Sequence, residues 1–145
     1  MAAENYTMAQ GLLALVAAMA LGALIGLERQ LRRHAAGLHV NALVALGSAA
    51  FMIAGMLAGD ATAPARVAGQ IVTGVGFLCA GVIMHQGATV RGINTAATVW
   101  CSAAVGVLAG MGLTLWAGAV TVLVLLTNVV LHYAGNRISG SDPGA

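Results

Sequence analysis

There is no lysine anywhere in these 145 residues, and only ten side chains are formally charged, six arginines and four acids. A charged fraction of 7%, against about 25% in an ordinary soluble domain, comes with 60% hydrophobic residues and a mean hydropathy of +0.94. Together these exclude a soluble globular fold. Cysteine is scarce too. Cys79 and Cys101 make neither a disulfide framework nor a metal-ligand spacing, and they read as small apolar fillers placed at similar depth. His34, His39, His85 and His132 are scattered, and no nucleophile has a base at motif spacing, which argues against an enzyme. Nothing calls for a cofactor or a resident metal. A basic face interleaved with aromatics, as nucleic acid binding would need, is also missing.

What the chain does have is five long apolar runs: Met8 to Leu27, Val40 to Gly59, Val67 to Met84, Thr95 to Met111 and Leu113 to Tyr133. Each approaches the ~20 residues that cross a ~30 Å hydrocarbon core. Unpaired backbone groups are costly in lipid, so such runs are helical unless they close a barrel, and they lack the alternation of barrel strands. The expected fold is an all-α, polytopic bundle of five transmembrane helices over 8–133, with a short cytoplasmic tail over 134–145. Gly110-Met111-Gly112 marks a tight turn in an otherwise overlong run, and the glycines at 74, 76 and 81 are compatible with a continuous third helix.

Arginine sets the expected orientation. Arg29, Arg32 and Arg33 follow the first run, Arg91 precedes the fourth and Arg137 lies in the tail, leaving Arg66 on the other side. Positive charge gathers in cytoplasmic loops, which places the N-terminus outside and the C-terminus inside. Tyr6 and Trp116 then fall near the outer surface and Tyr133 near the inner one. The first run follows Glu4 rather than a basic segment, so it reads as a retained helix and not a cleaved signal.

Three G-x-x-x-G pairs occur, Gly22 with Gly26, Gly55 with Gly59 and Gly106 with Gly110. Each clears a helix face for close approach, either within one chain or between copies. Polar residues in or beside spans are costly and often functional. Glu28 and Arg29 end the first helix, with Arg32 four residues after Glu28 and positioned to pair with it. Asn41 opens the second helix, with Ser48 two turns deeper. Arg66, Gln70 and Thr73 form a stripe on the third, and Asn94, Thr98, Cys101 and Ser102 form one on the fourth. Such stripes join helices by hydrogen bonds or, if they face one another, line a narrow path. Magnesium prefers oxygen ligands that include carboxylates, and the membrane region offers only Glu28 and Asp60, at opposite surfaces. A channel would require several subunits around a shared axis.

Four ordered stretches carry a resemblance: G-A-L-I-G-L-E-R (22–29), A-G-L with N-A-L-V-A-L-G (36–47), R-V-A-G-Q-I-V-T-G-V-G-F-L-C-A-G-V-I (66–83) and V-R-G-I-N-T-A-A-T-V-W-C-S-A (90–103). They closely resemble the bacterial MgtC/SapB family across residues 10 to 135, and Asn94 with Trp100-Cys101 is similar to the MgtC branch. The resemblance implies a multi-pass protein of the bacterial inner membrane, linked to growth in scarce magnesium and to intracellular survival and virulence. It further implies a regulator of other membrane proteins, with the proton-translocating ATP synthase as the candidate partner. An oligomeric magnesium or proton transporter is the alternative. The functional polar set carried over by the resemblance is Glu28, Arg29, Asn41, Arg66, Gln70, Asn94, Thr95, Thr98 and Cys101.

The chain departs from the family pattern in three places. His39-Val40 stands where members often have Arg-Thr, which weakens an anion role there. Cys79 replaces the middle glycine of G-F-L-G-A-G. The cytoplasmic C-terminal domain of larger members is not expected in this chain.

Overall fold

The computed structural model describes residues 7–34, 36–86 and 89–139. It consists of five helices: α1 Met8–Leu31, α2 Leu38–Leu57, α3 Ala63–Val82, α4 Ile93–Gly110 and α5 Thr114–Ser139. The first four are long and apolar enough to cross a membrane, and the apolar section of α5, Thr114–Val130, is slightly shorter. At ~1.5 Å per residue that 17-residue section is about 25 Å long. The predicted bundle is therefore found. Its last helix continues past Tyr133 to Ser139, so the first half of the predicted tail, 134–139, is helical. Tyr6 and residues 140–145 lie outside the described residues.

Local chemistry accounts for the helix ends. Thr7 caps α1 by accepting a hydrogen bond from the Gln10 backbone N–H at 3.3 Å, while the Gln10 side chain accepts from the Thr7 N–H at 3.0 Å. This reciprocal box satisfies two of the donors that a helix start leaves open. α4 ends as predicted at Gly110-Met111-Gly112. Gly112 has φ +79°, and the N–H groups of Gly112 and Leu113 return to the carbonyls of Ala109 and Leu108, each at 2.9 Å. That left-handed closure reverses the chain within three residues. α3 is continuous through Gly74 and Gly76. Between α3 and α4 the structure adds an element that the apolar pattern did not announce. Two three-residue antiparallel strands, β1 Met84–Gln86 and β2 Thr89–Arg91, pair Met84 with Arg91.

α4 is the central helix, in contact with α1, α2, α3 and α5. Glycine makes the closest crossings. A Cβ on Gly22 would meet the Asn41 carbonyl at 2.6 Å and Ala45 Cβ at 2.7 Å, and one on Gly26 would meet Leu38 Cα at 2.6 Å. On the other side of α2, a Cβ on Gly106 would collide with the Ala45 carbonyl, and one on Gly110 would lie 2.7 Å from the Ala49 carbonyl. α2 is thus held between glycine faces of α1 and α4 in the same chain, where close backbone approach gives dense van der Waals contact. A Cβ on Gly55 would lie 3.0 Å from the Val67 side chain of α3. Gly59 departs from the predicted packing role, because it lies beyond the end of α2 with φ +72° and open space around it. It serves the turn instead.

The polar stripes of α3 and α4 do not face one another. α3 turns Ile71, Val75 and Cys79 inward against Ala96, Val99 and Ala103 of α4. Arg66, Gln70 and Thr73 are consequently exposed on other faces of α3, and the Thr73 hydroxyl donates to its own helix at the Gly69 carbonyl. An apolar face at this spacing takes the protein contact and leaves the polar stripe outside.

Candidate functional site

Glu28, Arg29, Thr95, Asn94, Thr98, Cys101 and Asn41 gather at the end of the bundle where α1 finishes and α4 begins. α1 is closed there by Arg33, a non-glycine residue at φ +59°, with the N–H of His34 bonded to the Arg29 carbonyl at 3.0 Å. Gln30 then caps the next helix, its side-chain oxygen accepting from the Leu38 N–H at 3.2 Å. The short connection fixes the last turn of α1 against the first turn of α2.

Arg29 is 4% exposed. Its Nη2 donates to Thr95 Oγ1 on α4 at 2.9 Å, and its Nε makes no hydrogen bond. Glu28 is occupied elsewhere. Its Oε1 lies 2.6 Å from Arg32 Nε, the predicted i, i+4 pair, and its Oε2 accepts from Asn128 Nδ2 of α5 at 3.3 Å. Burying a guanidinium costs several kcal/mol unless it is paired and hydrogen-bonded, and a hydrogen bond to a charged group returns only ~1.5–3 kcal/mol. Among the described residues Arg29 is therefore a buried charge met by one neutral hydroxyl, with no carboxylate in salt-bridge contact.

A second network lies beside it. Asn41, fully buried, donates through Nδ2 to the carbonyls of Ala36 and Gly37 at 3.0 and 2.9 Å. Its Oδ1 accepts from Ser102 Oγ at 2.8 Å. The Thr98 hydroxyl donates back to the Asn94 carbonyl at 2.9 Å. Each polar side-chain atom named in this network has a hydrogen-bond partner, which is how such groups are tolerated inside an apolar bundle.

Between α1, α4 and α5 lies a cavity of about 510 Å³, lined on its polar side by Glu28, Arg29, Arg32, His34, Asn94 and Asn128. Thr98 and Cys101 line it deeper in. Asn94 is exposed, and among the described residues its side-chain amide makes no hydrogen bond. α4 begins at Gly92, whose φ of +94° and close approach to the Val82 carbonyl suit only glycine. No side chain caps that start. Cys79 does not border the cavity. It lies on the other flank of α4, where its thiol donates to the Ala96 carbonyl at 3.1 Å.

Arg66 and Gln70 do not join this cluster. They border a separate, mostly apolar groove between α2 and α3, and Arg66 pairs with Asp60 at 3.1 Å in the α2–α3 turn. Hydrogen bonds from the Thr62 backbone and hydroxyl hold the Asp60 carboxyl below the usual carboxylate range. Sequence reasoning passed over Asn128 and His34 as site residues. Asn128 is 100 positions from its partner Glu28, and its only local signal is an amide within an apolar run. Among the described residues no three His, Cys, Asp or Glu side chains come together to hold a metal ion.

A family model described as the MgtC family matches residues 15–137. Over 136 residues the chain is 52% identical to protein MgtC of Salmonella typhimurium strain LT2, an overlap of 94% of this chain and 58% of that protein. Over 118 residues it is 52% identical to protein MgtC of Brucella abortus strain 2308, covering 81% of this chain and 50% of that one. The chain thus spans between half and three-fifths of the length of these relatives. No solved structure matches it.

Proposed function

We propose, from the premise that this chain belongs to the MgtC family, that it is a non-enzymatic regulator in the bacterial inner membrane. In this reading it acts when magnesium is scarce and during intracellular survival, by docking on another membrane protein. The proton-translocating ATP synthase is the candidate partner. The arginine-rich end that holds the cavity faces the cytoplasm, with the N-terminus outside.

The observation that supports this best is the state of Asn94. Its neighbours Thr95, Thr98 and Ser102 are spent on hydrogen bonds within the chain. Among the described residues Asn94 keeps an exposed, uncommitted amide, at the mouth of the cavity that it borders with Ala97. A polar group at a membrane-embedded surface gains most by meeting a partner that offers it hydrogen bonds. The rest of α4 gives such a contact a rigid base.

Conduction through a single chain has less support. The α3 stripe faces away from α4, and beyond Ser102 the interior closes in an apolar layer of Ala49, Val105 and Ala109. The alternative, an oligomer conducting magnesium or protons, draws on the exposed Arg66, Gln70 and Thr73, which several copies would have to bring to a common axis.

The test is ATP-driven proton pumping in inverted bacterial membrane vesicles, with wild-type protein or Asn94→Ala, beside magnesium and proton entry into liposomes of the purified proteins. Reduced pumping that Asn94→Ala restores, with no liposome flux, supports the regulator. Unchanged pumping, or a flux abolished by the substitution, would overturn it.

A further inference from the structure

We propose that the cavity between α1, α4 and α5 binds a phosphate group, carried either by a phospholipid headgroup or by free inorganic phosphate. Two independent features converge there. The first is Arg29, 4% exposed and bordering the cavity, with a single hydrogen bond to Thr95 and an Nε that has no hydrogen-bond partner. The second is the start of α4, an 18-residue helix with no side-chain cap, whose second residue, Asn94, borders the same cavity. A helix start presents backbone N–H groups and the positive end of the helix dipole, a combination that favours anions.

The charges decide the sign of the ligand. Among the described residues Glu28 is the one carboxylate on the cavity wall, and its two oxygens are engaged by Arg32 and Asn128. Glu28, Arg29 and Arg32 together leave a net positive charge, so a cation entering the cavity would face two guanidinium groups. The size and number of donors favour phosphate over a simple halide. About 510 Å³ lies within the ~300–1,000 Å³ of small-molecule sites. The several oxygens of a phosphate can serve a guanidinium and helix N–H groups together. The cavity's far wall is apolar, formed by Val120, Leu123 and Val124 of α5, which gives an acyl chain or glycerol backbone a surface to lie on.

This inference concerns a ligand of the cavity and does not depend on the regulator reading, which concerns a protein partner, although Asn94 borders the cavity and figures in both. The experiment uses the purified full chain in a neutral detergent, with two arms. One compares thermal unfolding in sodium phosphate and sodium chloride at matched ionic strength. The other measures by native mass spectrometry the retention of phosphatidylglycerol against a glucosyl diacylglycerol that lacks phosphate. Arg29→Gln should weaken binding by roughly tenfold or more, the usual scale for a hydrogen bond to a charged group. Arg66→Gln, outside the cavity, should leave it unchanged. If Arg29→Gln does not give a monodisperse protein, Arg32→Gln carries the same comparison, since it releases Glu28 to take up Arg29.

A phosphate-specific rise in the unfolding midpoint identifies the free ion, and selective retention of phosphatidylglycerol identifies the headgroup. Neither effect in folded wild-type protein, or equal binding by the cavity variants, would overturn the proposal. Phosphate binding by a protein without effect on ATP synthase would drop the regulator reading alone. An active regulator that binds no phosphate would drop this one alone.

Discussion

The same substitution, glycine to alanine, should have opposite effects at two positions. At Gly106 an added methyl would overlap the Ala45 carbonyl and stand 2.9 Å from both the Ala45 carbonyl carbon and Ser48 Cβ. Two of these three contacts belong to backbone, which cannot rotate away, so α4 has to shift off α2. Over-packing of this kind costs ~1–3 kcal/mol. The shift also stretches the 2.8 Å hydrogen bond between Ser102 and Asn41, and contacts between membrane helices average ~0.6 kcal/mol. At Gly118 of α5 nothing lies within 4 Å of the new methyl, and the higher helix propensity of alanine adds at most ~1 kcal/mol. We expect Gly106→Ala to be destabilised by about 2–3 kcal/mol relative to Gly118→Ala. The assay is equilibrium unfolding in mixed detergent micelles, followed by helix signal and by Trp100 and Trp116 fluorescence. If Gly106→Ala were as stable as Gly118→Ala, the close α2–α4 crossing would be refuted.

Other perturbations probe separate parts of the structure. Arg33→Gly should stabilise by about 1–2 kcal/mol, the usual cost of a left-handed non-glycine residue, and an unchanged unfolding midpoint would deny the φ of +59°. A double-mutant cycle of Ser102→Ala with Asn41→Ala should give a coupling near ~0.6 kcal/mol and at most ~1.7, whereas strict additivity would deny the hydrogen bond. Gly92→Ala should cost ~1–3 kcal/mol through its positive φ, on top of the clash with the Val82 carbonyl, and a neutral outcome in the same unfolding assay would contradict that geometry. The pKa of Asp60 is lowered in the folded protein, so its contribution to stability is present above the unfolded carboxylate pKa near ~3.9 and is lost as pH falls through the lower folded value. Asp60→Asn should therefore flatten the acid limb of thermal stability, and an acid limb identical to wild type would remove that role.

Which parts of this architecture could be read from the chain follows from the range of each interaction. The Glu28–Arg32 pair and the turn at Gly110-Met111-Gly112 are written within a few residues of one another, so helical periodicity and glycine punctuation suffice to find them. The link from Glu28 to Asn128 is set by how α1 and α5 pack, and no local pattern encodes it. The α3 stripe was legible as a stripe but not as a surface. Protein interior and lipid are both apolar, so a face of Ile71, Val75 and Cys79 reads the same whether a helix or a lipid covers it. Spacing alone likewise made Gly55 and Gly59 a pair, although one packs on Val67 and the other turns the chain. The hairpin between α3 and α4 escaped for a different reason: strands of three residues are too short for alternation to stand out.

The contrast between a clamped α2 and a peripheral α3 has a practical consequence. α1, α2 and α4 interlock through backbone contacts that tolerate almost no added volume, whereas α3 is held by an apolar seam with α4 and a contact of Val67 with Gly55 of α2, and leaves Phe77 82% exposed. The outer side of α3 can therefore be rewritten with little effect on the rest of the molecule. A spectroscopic label at position 77 would sit on a part of the surface whose surroundings in the bilayer can change while the bundle beneath it stays as it is. It would report whether lipid, a partner or another copy of the chain lies alongside.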